Sequence, residues 1–134
     1  SGGWWNRLLS RGDQDEEVLD IKKAGIFPLV HGIRSMALEM RLRELGTAPR
    51  IEALVAAGGL TPAMGADLIE SLHFFMGLKL KVGLAELAMN RPVSGGIEVS
   101  KLNSLDRDLL KDTLGVVKRF KVLLRQHFHL DMVS

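Results

Sequence analysis

The 134-residue sequence contains no cysteine and no tyrosine, only four prolines, and aromatic residues at just 5%. Without a thiol the chain has no disulfide scaffold, no cysteine nucleophile, no iron–sulfur centre and no cysteine-ligated zinc. A reducing, cytoplasmic setting is therefore expected. Charge of one sign is scarce as well: 18 Lys+Arg against 16 Asp+Glu leave +2, so any basic site must be local and nucleic acid is not an expected partner. No apolar run approaches the ~20 residues of a membrane span, because Lys79, Lys81 and Glu86 interrupt the most hydrophobic stretch. Gly-x-Ser-x-Gly, P-loop and Gly-x-Gly-x-x-Gly patterns are missing, and with them the usual nucleophile elbow and phosphate cradles.

What is present is helical spacing. Gly46, Pro49, Gly58-Gly59, Pro62 and the stretch over 90–96 (NRPVSGG) punctuate the chain, and no segment alternates as a strand should. One helix is predicted over 28–45, with proline in its first turn and Gly46 as its stop. Leu29, Ile33, Met36 and Met40 form one stripe of it and Leu38, Leu42 and Leu45 the opposite one, so it is expected to be covered on two faces. A short helix follows over 49–57, with Ile51, Leu54 and Val55 inward. Thr61-Pro62 then starts a helix reaching Asn90, ~43 Å long at 1.5 Å per residue. Its second half is apolar almost all round, which places it at the centre of a bundle. Gly77 and Gly83 within it each cost ~1 kcal/mol against alanine, so neighbouring helices are expected to pass close there. A last helix opens at Ser104 as its cap, with Leu109, Thr113, Val116, Val117, Phe120 and Leu124 inward. The fold expected is all-α: an antiparallel four- to five-helix bundle over 18–134, preceded by an aromatic lip over 4–9 and a charged loop over 11–17. The loop over 90–103 is expected to be the mobile one. Ser1-Gly2-Gly3 reads as a cut edge or an appended remnant, so the chain is expected to be part of a longer protein.

Candidate chemistry concentrates in residues 20–34. Lys22 and Lys23 precede the expected helix start, and His31 and Arg34 lie within 60° of each other, off the main apolar stripe. Cations beside a helix N-terminus suit phosphate or carboxylate, because Arg is a bidentate fork and the first N–H groups point outward. The bland alternative pairs Asp20 with a lysine and Arg34 with Glu39 or another acid, and packs His31. Lys79 and Lys81 are about 200° apart and cannot serve one ligand together. Lys79, on an apolar arc, needs an acid, a phosphate or an outlet for its head group. The basic run over 118–125 reads as a solvated face, since Phe120 belongs to the inward stripe. His127 and His129 lack a third ligand at metal spacing, so no metal site is expected. Asp13-Gln14-Asp15 lacks the strand and the Gly-Ser turn that magnesium-dependent nucleotide transfer needs, and no Gly-Ser dipeptide occurs at all.

Residues 20–38 (DIKKAGIFPLVHGIRSMAL) resemble the signature D-[LI]-K-K-x-G-[LI]-x-P-[LIV]-V-x-x-x-R of a bacterial and archaeal family of nucleotidyltransferase substrate-binding domains. Trp4-Trp5-Asn6-Arg7 upstream, residues 49–60, the Leu78-Lys79-Leu80-Lys81 helix and residues 105–120 are similar in order and spacing, while Val82-Gly83 departs from the expected polar continuation. The resemblance implies a C-terminal helical domain that contains no catalytic residue. It would lie behind a nucleotidyltransferase-like domain related to the PII uridylyltransferases, often together with CBS or cyclic-nucleotide-binding domains. Magnesium and a nucleoside triphosphate would belong to that longer protein and no cofactor to this chain. Lys22, Lys23 and Arg34 match the signature and, with His31 at one of its open positions, become the substrate- or nucleotide-binding candidates, and Lys79 matches a commonly basic position. The expected partner is the upstream domain, with a homo-oligomer as a further possibility. The alternative role is a helical interaction or dimerisation module without a ligand.

Overall fold

The computed structural model describes residues 18–129; the lip, the charged loop and the Asp13-x-Asp15 pair lie outside the described residues. Strand β1 (Val18–Asp20) leads into a π-helical turn (Lys22–Ile26) that continues without a break into α1 (Phe27–Glu39). Helices α2 (Thr47–Ala56) and α3 (Pro62–Ala88) follow, then β2 (Gly96–Glu98), a 3₁₀ turn (Val99–Lys101) and α4 (Ser104–Phe128). The architecture is a helical bundle with a two-stranded antiparallel sheet at one edge, in the register Val18↔Glu98, Leu19↔Ile97, Asp20↔Gly96.

The sheet corrects the strand-free expectation. Three residues are too few for alternation to be read, and each strand sends only one side chain inward, Leu19 from β1 and Ile97 from β2. The segment over 90–103 is correspondingly less free than expected. Ile97 and Val99 are buried in the core, and Glu86 accepts hydrogen bonds from Ser94 N at 3.3 Å and Ser94 Oγ at 2.8 Å.

The helix boundaries follow local chemistry. α1 stops at Glu39 rather than at Leu45, because Arg41 turns left-handed at φ 58° and Leu42 N donates to Ala37 O at 2.9 Å, closing the end without a glycine. Gly46, at φ 91°, stands before α2 instead of ending α1. Thr61 caps α3 as expected, its Oγ1 accepting from Met64 N at 3.1 Å. At α4 the cap is Asn103, one residue earlier than Ser104, with Oδ1 accepting from Asp106 N at 2.7 Å.

Two apolar clusters hold the bundle. Leu19, Ile21, Ile26, Phe75, Leu78, Ile97, Val99, Leu110 and Val117 tie the sheet to α3 and α4. Leu29, Ile33, Met36, Ile51, Leu54, Leu60, Leu68 and Phe120 join α1 and α2 to the other helices. A fully buried leucine or phenylalanine contributes ~1.5–3 kcal/mol, so these seventeen side chains supply the main drive to fold. The α4 stripe is shifted slightly from expectation: Leu110 is fully buried whereas Leu109 is 41% exposed. Of the second face expected there, Leu38 and Leu45 are in water, whereas Leu42, beyond the end of α1, packs on the core.

Close backbone approach occurs at glycines other than those expected. A Cβ on Gly32 would lie 2.6 Å from Leu124 Cδ1 and 2.7 Å from Phe120 Cε2, so α1 meets α4 there without a side chain between them. At Gly77 an added Cβ would meet nothing within 4 Å, and at Gly83 only Val93 Cγ1 at 3.6 Å. The second half of α3 is not enclosed either. Met76, Leu80, Leu84, Leu87 and Met89 are each between 51% and 63% exposed.

Candidate functional site

The signature residues unfold along one continuous helical rod. Asp20, at the end of β1, accepts from Lys22 N at 3.1 Å and from Lys23 N at 3.2 Å through Oδ1. The rod therefore starts at the lysines, and its N-terminal amides are already met by a carboxylate. No second N-terminus opens at Pro28. The preceding π turn bonds Phe27 N to Lys22 O, and the wide turn accommodates a proline that has no N–H to give. The anion-binding helix start expected at Pro28 is thus replaced by exposed side-chain cations alone.

Lys23 and Arg34 are eleven residues apart on this rod, about 16 Å at 1.5 Å per residue. The two lysines consequently form one cationic end, and His31 with Arg34 forms a second group two to three turns on. Within that group Phe27, His31, Arg34 and Leu38 fall inside about 60° of helix face, and all four are exposed. The His31 ring lies on the Phe27 ring, with centroids 5.4 Å apart and 14° between the planes. Ser35 Oγ donates to His31 O at 2.9 Å.

The acids named as neutralising partners are engaged elsewhere. Asp20 serves backbone amides, and Glu39 Oε1 is 2.5 Å from His127 Nε2. Among the described residues no carboxylate pairs with Lys22, Lys23 or Arg34.

Two recesses open at the far half of α3, one on each side of it. The first, about 410 Å³, has an apolar floor of Val82, Ala85, Met89 and Leu102. Its rim carries Lys81 paired with Asp106 at 2.7 Å, Lys101 paired with Glu98 at 3.0 Å, and Arg91. Its size is in the range of small-ligand sites, and its three cations are matched by Glu86, Glu98 and Asp106. Sequence reading missed this recess because Arg91, Glu98 and Lys101 fall in a segment that reads as a loop. The charges gathered on both sides of NRPVSGG were the available signal.

The second recess, about 490 Å³, is almost wholly apolar, lined by Met76, Leu80, Leu84, Leu87 and Val93 with Lys79 and Glu86 along one flank. Lys79 and Lys81 thus face different recesses, as their 200° separation requires. Lys79 is half-buried, and among the described residues it has no carboxylate partner.

On α4, Lys118, Arg119, Lys121 and Arg125 are exposed while Phe120 is fully buried, so that face offers cations without a stacking ring. Arg119 reaches Asp67 at 3.8 Å. Among the described residues no three His, Asp or Glu side chains gather as a metal site, and no helix is long and apolar enough to cross a membrane.

The described residues thus form a helical bundle with exposed cations along one rod. The chain belongs to the family described as "Putative nucleotidyltransferase substrate binding domain", whose model matches residues 1–128. No curated protein and no solved structure matches it.

Proposed function

We propose that the chain is a non-catalytic substrate-holding domain working beside an upstream nucleotidyltransferase-like domain of a bacterial, cytoplasmic signalling protein related to the PII uridylyltransferases. Magnesium and the nucleoside triphosphate belong to the upstream domain in this reading. This domain holds the phosphate-bearing part of the nucleotide or an anionic acceptor.

The observation that supports it is how the signature residues divide. Asp20 caps the rod, Ile21, Ile26 and Leu29 fill the core, and Gly25 admits the Phe75 ring. Lys22, Lys23 and Arg34 are exposed, and among the described residues no carboxylate pairs with them. Three exposed long cations gain little stability for the fold, whereas an anionic ligand held between two domains uses them through charge-assisted hydrogen bonds. His31, held flat on Phe27, adds a hydrogen-bonding ring edge one turn from Arg34.

The test is isothermal titration of the longer protein with nucleoside triphosphate and with acceptor. Losing one charge-assisted contact costs ~1.5–3 kcal/mol, so Lys23→Ala and Arg34→Ala are each expected to weaken one of the two ligands roughly tenfold to a hundredfold. Wild-type affinity for both ligands in the double variant would remove the cations from the site.

A further inference from the structure

We propose that α3 docks on a second copy of this chain, its exposed apolar stripe lying antiparallel on the same stripe of the partner across a twofold axis near Val82 and Gly83. Met76, Leu80, Leu84 and Leu87 recur every three or four residues and fall within about 80° of one helix face, the spacing of a helix–helix seam. Each is more than half exposed. Together with Val93 they leave on the order of 500 Å² of apolar surface in water, toward the top of the range monomers carry and the larger part of the ~800 Å² each partner gives a stable interface.

Self-pairing is singled out by the charges on the flank. Lys79 and Glu86 lie on the same side of the stripe, and their midpoint is the boundary between residues 82 and 83. A twofold axis there keeps each flank on its own side and reverses the helix direction. Lys79 then faces the partner's Glu86, and Glu86 faces the partner's Lys79. Both sides gain: among the described residues of its own chain Lys79 has no carboxylate partner, and Glu86 accepts only from Ser94.

An unrelated protein surface would have no reason to match charge about this midpoint.

Sedimentation equilibrium of the 134-residue chain tests this. A reversible dimer is expected. Leu80→Glu with Leu84→Glu is expected to give a monomer of unchanged circular dichroism and melting cooperativity, since both side chains already lie in water. Lys79→Glu and Glu86→Lys are each expected to weaken the dimer about tenfold, because two symmetric ion pairs become two repulsions, and the two swaps combined are expected to restore it. A chain that stays monomeric at the highest attainable concentration overturns the proposal. So does a dimer that survives the Leu80→Glu and Leu84→Glu pair, or one weakened by the single swaps and left unrestored by the double. Nucleotide titration reads the Lys22–Lys23–Arg34 face separately, so failure here leaves the ligand-holding reading standing on its own test.

Discussion

Replacing Gly25 with alanine adds one methyl group at the most crowded point of the π turn. Its Cβ would stand 2.5 Å from Phe75 Cζ, 2.7 Å from Cε2 and 2.8 Å from Cε1, about 1 Å inside ordinary carbon–carbon contact. The ring is fully buried in a cluster with Leu19, Ile21, Ile26 and Leu78, so it has no solvent side to retreat to. Overpacking of this kind costs ~1–3 kcal/mol, while alanine recovers up to ~1 kcal/mol of helix propensity. The net expectation is ~1–2 kcal/mol of destabilisation, or a melting temperature lower by about 3–6 °C for a chain of this length. Gly77→Ala is the matched control, since its Cβ meets nothing within 4 Å and only the propensity gain of ~1 kcal/mol remains. Urea denaturation followed by far-ultraviolet circular dichroism, at concentrations low enough to keep chains apart, measures both. The two substitutions should move stability in opposite directions. Coupling to the ring is checked by Phe75→Leu, in whose background Gly25→Ala should lose at least half its cost. A Gly25→Ala variant as stable as the parent chain would refute the steric argument, and with it the assignment of this signature glycine to packing.

Two further substitutions examine the segment between α3 and α4. Ile97→Ala should cost ~2–4 kcal/mol as a fully buried large-to-small change, and amide hydrogen exchange over residues 96–99 should accelerate with it. Fast exchange there already in the parent chain would contradict a docked strand. Asn103→Ala should cost ~1 kcal/mol through loss of the α4 cap, whereas Ser104→Ala should change stability by less than about 0.5 kcal/mol; a reversed order in denaturation midpoints would return the cap to Ser104.

The helices were readable because their signals are local. Thr61-Pro62 announces the start of α3 with a hydroxyl that accepts an amide and a proline that needs none, and the Leu29, Ile33, Met36 stripe repeats often enough to outweigh noise. The sheet was unreadable for the opposite reason. Leu19 and Ile97 are single inward residues from segments 78 positions apart, and their pairing is a fact of the tertiary fold. The α1 stop was hidden too, because Arg41 adopts a left-handed conformation that its side chain does not advertise. At the candidate site the residue types were legible and their geometry was not. Proline at position 28 marks a helix start by every local rule, yet the turn before it is already helical, wide enough to carry the rod back to Asp20. That one turn moves Lys22 and Lys23 from in front of a helix to its first turn and separates them from Arg34.

The misplacement of α3 has a different origin. A helix apolar on all sides must be covered on all sides, and composition does not say by what. The rest of the bundle covers the helix up to Leu78, where Leu68, Phe75 and Leu78 are buried. Beyond that point the described residues supply one wall, through Val82 against the sheet cluster. The remaining demand for burial is undiminished, because leucines at 80, 84 and 87 incur the same hydration cost whether their neighbour is in the same chain or another. Gly77 and Gly83 carry the same message from the backbone side: each weakens a helix, and neither is compensated by a contact in its own chain closer than 3.6 Å. A chain under no demand to bury this face would gain by exchanging those leucines for lysine or glutamate and those glycines for alanine. That it has done neither is what makes the twofold pairing of Lys79 with the partner's Glu86 a statement about this stretch of helix as a whole.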